Sequence, residues 1–157
     1  MSYNVLLFDD RPQLRWSLTE ILQAEGMFVI PCKNVFEADT AWEDHNNEVN
    51  AVVLDMMMPS RGLSRNYLNS LDGEQNTGWI WLWHHLNKEH LDPHPATGKC
   101  IVIFSAYLED FTSYSEKLDP EGLEAQFAAG LHLIGKDDED NIERLISTLS
   151  EHRNTIM

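Results

Sequence analysis

Four short apolar runs in this 157-residue chain each end in a polar residue of a kind that phosphoryl chemistry uses. Val5-Leu6-Leu7-Phe8 runs into Asp9-Asp10, and Ala51-Val52-Val53-Leu54 into Asp55. Ile101-Val102-Ile103-Phe104 runs into Ser105, and Leu131-His132-Leu133-Ile134-Gly135 into Lys136. In an open parallel α/β sheet, ligands bind in the crevice beyond the carboxyl ends of the strands. If these runs are neighbouring parallel strands, three carboxylates, one hydroxyl and one ammonium meet there. That set makes a magnesium site with a carboxylate nucleophile and a phosphate anchor. Singly, each residue has a plainer role. Asp9-Asp10 could cap a helix, Asp55 could end a strand, Ser105 could be a loop hydroxyl and Lys136 a surface charge. Their coincidence at four strand ends favours the chemical reading.

The elements that must position these residues follow from periodicity and punctuation. Strands are expected at Tyr3–Phe8, Phe28–Cys32, Ala51–Leu54, Cys100–Phe104 and Leu131–Gly135. A first helix is expected over Pro12–Glu25, with Pro12 in the first turn, Gly26 as the stop and Leu14, Leu18, Ile21 and Leu22 at helical spacing. A second covers Val35–Asn46, capped by Asn34, and a third Gly78–Lys88. A fourth is expected over Glu121–Ala129 and a fifth over Asp140–His152. Alternating strands and helices imply a doubly wound parallel sheet. Met58–Thr77, with Pro59, Gly62 and Asp72-Gly73, breaks this rhythm and reads as a long loop with a helical turn near Tyr67–Leu71. Asp92–Gly98 is a turn-rich link. No repeat, linker or second domain is visible, so residues 1–157 read as one domain with an insertion at about 60–77.

Composition narrows the function classes. Asp and Glu outnumber Lys and Arg 26 to 11, for a net charge of −15. Nucleic-acid binding needs basic residues on phosphates, so it is disfavoured, as is an anionic membrane surface. No apolar run is long enough to span a bilayer. The N-terminus opens directly on a strand, without the basic and apolar regions of a signal peptide, so a cytoplasmic location is expected. Cys32 and Cys100 are expected to be buried and reduced, and they make no zinc pattern.

With Phe8-Asp9-Asp10, Leu54-Asp55-Met56-Met57-Met58-Pro59, Phe104-Ser105-Ala106 and Gly135-Lys136 in this order, the chain resembles the receiver domain of two-component response regulators. The resemblance covers nearly the whole length. It implies a chemotaxis-receiver-like fold: five βα units and a flavodoxin-like sheet of strand order 2-1-3-4-5 flanked by five helices. It implies Asp55 as phosphoacceptor, forming an acyl phosphate, and Mg²⁺ as cofactor. Asp10 would bind the metal directly and Asp9 directly or through water, with Asp55 and the Met57 carbonyl completing the protein ligands. Lys136 would pair with a phosphoryl oxygen. Ser105 would donate to another once Asp55 is modified, drawing its loop inward and biasing a two-state surface. Ala106 would leave the phosphoacceptor accessible. The implied partners are a histidine kinase or phosphotransfer protein and an output protein that the sequence does not identify. The output would meet the surface of the fourth helix, the fifth strand and the fifth helix.

The chain departs from the family in several places. Leu133 stands where many members have an aromatic switch residue, and Asp137 where proline typically follows the lysine. The family glycine that opens the third helix lies a few residues after the proline, whereas Pro59 and Gly78 are 19 positions apart. Met57 and Tyr107, two residues after Asp55 and Ser105, are bulky and are expected to hinder the hydrolytic water and prolong the acyl phosphate. Arg61 and Arg65 read as solvated. Trp79, Leu82, Trp83 and Leu86 share one helical stripe and read as core, which leaves Ile80 and Trp81 needing cover that the insertion could supply. His84, His85, His90 and His94 match no zinc spacing and read as ordinary histidines.

These residues point to a single-domain receiver with no attached output domain, phosphorylated on Asp55. No enzymatic activity is expected beyond its own phosphorylation and dephosphorylation. One competitor is a receiver-like interaction module that is never phosphorylated, motivated by Leu133, Asp137 and the insertion. Another is a phosphohydrolase resembling haloacid dehalogenases, but these need an acid two residues after the nucleophile, where Met57 stands.

Overall fold

The computed structural model describes residues 2–59, 77–86, 98–106, 108 and 131–157. The strands are β1 (Asn4–Phe8), β2 (Phe28–Cys32), β3 (Ala51–Leu54), β4 (Cys100–Ser105) and β5 (Leu131–Gly135). The helices are α1 (Pro12–Ala24), α2 (Val35–His45), α3 (Thr77–Leu86) and α4 (Asn141–Ile156). The expected helix over 121–129, most of the insertion, residues 87–97, and the side chains of Tyr107, Arg61 and Arg65 lie outside the described residues.

All five strands are parallel, in the order β2-β1-β3-β4-β5. This is the expected flavodoxin-like sheet. Its central strands β1, β3 and β4 are buried apolar runs because both of their faces are covered. Leu6, Phe8, Val52, Leu54, Ile101 and Ile103 pack with Val35, Ala38 and Trp42 of α2 and Trp79, Trp81 and Leu82 of α3. Val5, Leu7, Val53, Val102 and Phe104 pack on the other face with Leu18 and Leu22 of α1 and Leu145 and Leu149 of α4. The register aligns the strand ends: Phe8 lies beside Leu54, Leu54 beside Ile103, and Ile103 beside Leu133. Asp9 and Asp55 therefore leave the sheet at the same level, one residue past that row, followed by Ser105 and then Lys136.

Local signals behave as their chemistry requires. After α1, Gly26 takes φ +82°. Gly26 N–H then reaches the Gln23 carbonyl at 2.9 Å and Met27 N–H the Leu22 carbonyl at 3.1 Å, a Schellman closure. The Asn34 side chain caps α2 by accepting from Glu37 N–H at 2.9 Å. At the other end of α2, Lys99 Nζ donates to the Asn46 and Val49 carbonyls at 2.7 Å each, and burial pushes its pKa down. Cys32 and Cys100 are free and buried, and burial pushes each thiol up to about 12.

The cover that Ile80 and Trp81 were expected to need is present. Trp81 is in the core with Trp79 and Leu82, and among the described residues its cover comes from α2 and β1. Its ring meets Phe8 edge-on at 5.2 Å and Trp42 at 6.0 Å, and its Nε1–H donates to Asp39 Oδ1 at 2.8 Å. Ile80 is buried too. The helix enters the core on more than one face, so a single stripe underestimates its burial.

Candidate functional site

The site is built where β1, β3, β4 and β5 end. Asp9 is buried, and its N–H extends the β1–β2 ladder to the Cys32 carbonyl at 3.1 Å. Its Oδ1 accepts from Arg11 N–H at 2.9 Å, so it also ties down the start of α1. The Arg11 side chain makes no cap, so this carboxylate does part of a cap's work. Asp10 follows, half-buried.

Asp55 is buried at the end of β3, with its N–H on the Phe8 carbonyl at 3.1 Å. Its Oδ1 accepts from Met57 N–H at 3.1 Å and from Ser105 Oγ at 2.8 Å. Its Oδ2 accepts from Lys136 Nζ at 2.6 Å. Lys136 Nζ also donates to Asp9 Oδ2 at 2.9 Å, so one ammonium bridges two carboxylates. The backbone of Lys136 is fixed on both sides. Its N–H meets the Ser105 carbonyl at 3.1 Å, and its carbonyl accepts from Asn141 Nδ2 at 2.7 Å.

The structure thus brings together Asp9, Asp10, Asp55, Ser105 and Lys136. Met57 stands at the rim, partly exposed, and takes part through its N–H. Ala106 is exposed beside Ser105. The Ser105 geometry refines the expected switch: its hydroxyl already donates to the Asp55 carboxylate itself and is fully buried. An inward pull triggered by modification is therefore not needed to bring it in.

Carboxylate oxygens of Asp9, Asp10 and Asp55 all lie within 4.8 Å of one another, and no other group of this kind occurs among the described residues. Three carboxylates against one ammonium leave the cluster negative. Burial, then the Asp9 charge, with a smaller push from Asp55, hold the Asp10 carboxyl above the usual carboxylate range. Its own backbone hydrogen bond and Lys136 oppose them. An all-oxygen, surplus-negative set of this kind suits a hard divalent cation such as Mg²⁺. His84 and His85 stand apart from it, with their rings 5.1 Å apart and His85 Nε2 2.8 Å from Asp39 Oδ1.

Sequence reading found the side chains that converge but missed the groups that hold them. Gly78 is one. A Cβ there would lie 1.8 Å from the Asp55 carbonyl oxygen, so only glycine lets α3 start against the Asp55 turn. Its N–H donates to the Met56 carbonyl at 3.0 Å. The glycine rule for the start of this helix was legible, but the 19-residue spacing hid the contact. Asn141 is another, with no signal in an acidic stretch before a helix. A cavity of about 470 Å³ opens beside the cluster, lined by Arg11, Pro12, Gln13, Leu14, Phe104, Lys136, Asp137 and Asn141.

No family model matches the chain, and no curated protein matches it. Solved structures do. The receiver domain of Francisella response regulator 1452 is 16% identical with a TM-score of 0.64, covering 99% of this chain and 100% of that one. A response regulator receiver domain protein from Clostridium thermocellum is 16% identical with a TM-score of 0.62, covering 99% of each chain. The response regulator TrrA from Thermotoga maritima, solved in complex with Mg²⁺-BeF, is 20% identical with a TM-score of 0.55, covering 94% of this chain and 98% of that one. The chain therefore has the receiver-domain fold. Among the described residues no helix is long and apolar enough to cross a membrane.

Proposed function

We propose that this chain is a response-regulator receiver that takes a phosphoryl group onto Asp55 with Mg²⁺ from a histidine kinase or phosphotransfer protein. One observation carries the reading. Asp9, Asp10 and Asp55 cluster at the strand ends of a receiver fold, with Lys136 bridging two of them and Ser105 on the third strand end. The Thermotoga relative, solved with Mg²⁺ and a beryllium fluoride, supports the choice of cofactor.

In the proposed reaction an Asp55 carboxylate oxygen attacks phosphorus. The P–N bond to the donor's histidine breaks, and its electron pair leaves with the imidazole, which takes a proton from water. The product is an aspartyl phosphate. Mg²⁺ held by Asp9, Asp10, Asp55 and the Met57 carbonyl would supply positive charge to the transferring oxygens. Lys136 is already placed to follow an oxygen of the incoming group, as a compact point charge on a buried stem. Ser105 Oγ can turn its donated bond from the carboxylate to the phosphoryl. The cavity beside Arg11 and Lys136 gives the donor its approach. Met57, at the rim, shields the acyl phosphate from water and lengthens its life.

A second reading, a receiver-like module that binds partners without phosphorylation, draws on one feature: both Asp55 oxygens are already engaged by protein donors. Intact mass after incubation with acetyl phosphate separates the two. A Mg²⁺-dependent gain of one phosphoryl group, lost in Asp55→Asn, supports the receiver. No gain, together with no Mg²⁺ binding, supports the module.

A further inference from the structure

The turn between β1 and α1 contains a contact that phosphoryl transfer does not itself require. Arg15, one turn into α1, folds its guanidinium back and donates Nη1–H to the Asp9 backbone carbonyl at 2.9 Å. The other polar groups of Asp9 are engaged elsewhere: N–H on Cys32, Oδ1 on Arg11 N–H, Oδ2 on Lys136. The carbonyl that Arg15 takes belongs to the Asp9–Asp10 peptide unit. That unit is planar, so the direction of the carbonyl sets the plane from which the Asp10 Cα departs.

Asp10 is the member of the cluster most dependent on this. Two donors hold the Asp9 carboxylate and three hold that of Asp55. Among the described residues the Asp10 carboxylate has a hydrogen bond from its own backbone and none from another residue. Its position follows from its backbone, whose preceding carbonyl is the one Arg15 holds.

We propose that Arg15 is a positioning residue of the cation site, acting through the Asp9 carbonyl to aim the Asp10 carboxylate. The proposal rests on the reading of Asp9, Asp10 and Asp55 as a Mg²⁺ site. It runs against simple charge: a guanidinium near three carboxylates repels a cation, so electrostatics alone predicts tighter metal binding without it. A positioning role predicts the reverse, and selectively. Mg²⁺ demands near-ideal octahedral geometry, whereas Ca²⁺ tolerates irregular ligands. A displaced Asp10 therefore costs Mg²⁺ more than Ca²⁺.

The test is calorimetric titration of the full chain with MgCl₂ and with CaCl₂, for the wild type, Arg15→Met and Arg15→Lys, beside their melting curves. Arg15→Met keeps the apolar stem and removes donor and charge. It is expected to weaken Mg²⁺ about 10-fold, as loss of a group orienting a ligand does, and Ca²⁺ much less. Arg15→Lys, which keeps a donor without the fork, should fall between. If Arg15→Met does not fold, Arg15→Gln is read by the same criterion. Unchanged or tighter binding of both ions overturns the proposal, as does an equal loss for both. A wild type that binds no Mg²⁺ overturns the receiver reading and this inference with it. A wild type that binds Mg²⁺ beside an indifferent Arg15→Met overturns this inference alone.

Discussion

The two ends of the sheet use buried polar groups in opposite ways. At the amino ends of the strands, Tyr3 O–H donates to His152 Nδ1 at 2.7 Å, and His152 Nε2 meets the Gly98 carbonyl at 2.9 Å. There Asn4 N–H meets Asn50 Oδ1 at 2.8 Å, and Lys99 donates to two carbonyls of the α2–β3 connection. These donors all meet neutral acceptors, although the buried Asn4 Oδ1 there has no partner among the described residues. At the carboxyl ends, carboxylates face carboxylates, and one lysine serves two of them. That network is satisfied as hydrogen bonds but not as charge. Donors paired with neutral acceptors fix a structure, whereas a carboxylate cluster with surplus charge leaves a demand that a ligand can meet. The same fold thus pairs its polar groups with neutral acceptors at one end and gathers unbalanced charge at the other.

The sharpest way to break this contrast is at Gly78. Alanine there must push α3 off the Asp55 carbonyl, since backbone rather than a yielding side chain fills the space. A loss of about 1–3 kcal/mol in chemical denaturation is expected, the usual range for overpacking, together with impaired phosphorylation. Normal stability and normal phosphorylation would show that the contact is dispensable.

Lys136→Met sharpens the contrast through the charge surplus. It removes the ammonium from Asp9 and Asp55 and leaves three carboxylates uncompensated. The variant should melt lower than the wild type without divalent ions and gain more from added Mg²⁺, because a ligand that binds only the folded chain stabilises it by mass action. A Mg²⁺-induced rise in melting temperature no larger than that of the wild type would contradict the view that the lysine offsets part of the cluster's negative charge.

The smallest effect is in pH dependence, where the two ends have opposite signs. Burial, with a contribution from His132, lowers the His152 pKa from its ordinary 6.5, against a raising contribution from the Gly98 carbonyl. The unfolded chain then binds more protons than the folded one between the lowered value and 6.5. Stability from this group is complete above 6.5 and falls as pH drops through that window. The Asp10 carboxyl is raised above its ordinary 3.8, so the folded chain binds more protons there, and stability falls as pH rises from 3.8 through the raised value. Melting temperatures between pH 4 and pH 8 should show His152→Gln flattening the neutral-side slope and Asp10→Asn the acid-side one. A His152→Gln slope matching the wild type would remove the amino end from the comparison.

The sequence disclosed the site more fully than the packing around it. Asp9, Asp55, Ser105 and Lys136 were legible because each interrupts an apolar run where a buried strand must surface, and parallel register then brings such ends together. What covers Trp81 was not legible, because helical periodicity reports one face and nothing in residues 77–86 tells that Trp42 and Asp39 of α2 wait on another. The inward Ser105 hydroxyl was not legible because a rotamer is chosen by neighbours, not by its own sequence position. Arg15 stayed hidden for a related reason: a long side chain in an amphipathic helix reads as surface until its reach to the Asp9 carbonyl is seen.

The central claim is that Asp55 is the phosphoacceptor, and site mapping tests it most directly. The chain is phosphorylated with acetyl phosphate and Mg²⁺, reduced with borohydride, which converts an aspartyl phosphate to homoserine, and digested for peptide mass spectrometry. Homoserine at position 55 alone, and none without Mg²⁺, is the expected result. Modification at Asp9, Asp10 or Ser105 instead, or none at all in a chain that binds Mg²⁺, would contradict it.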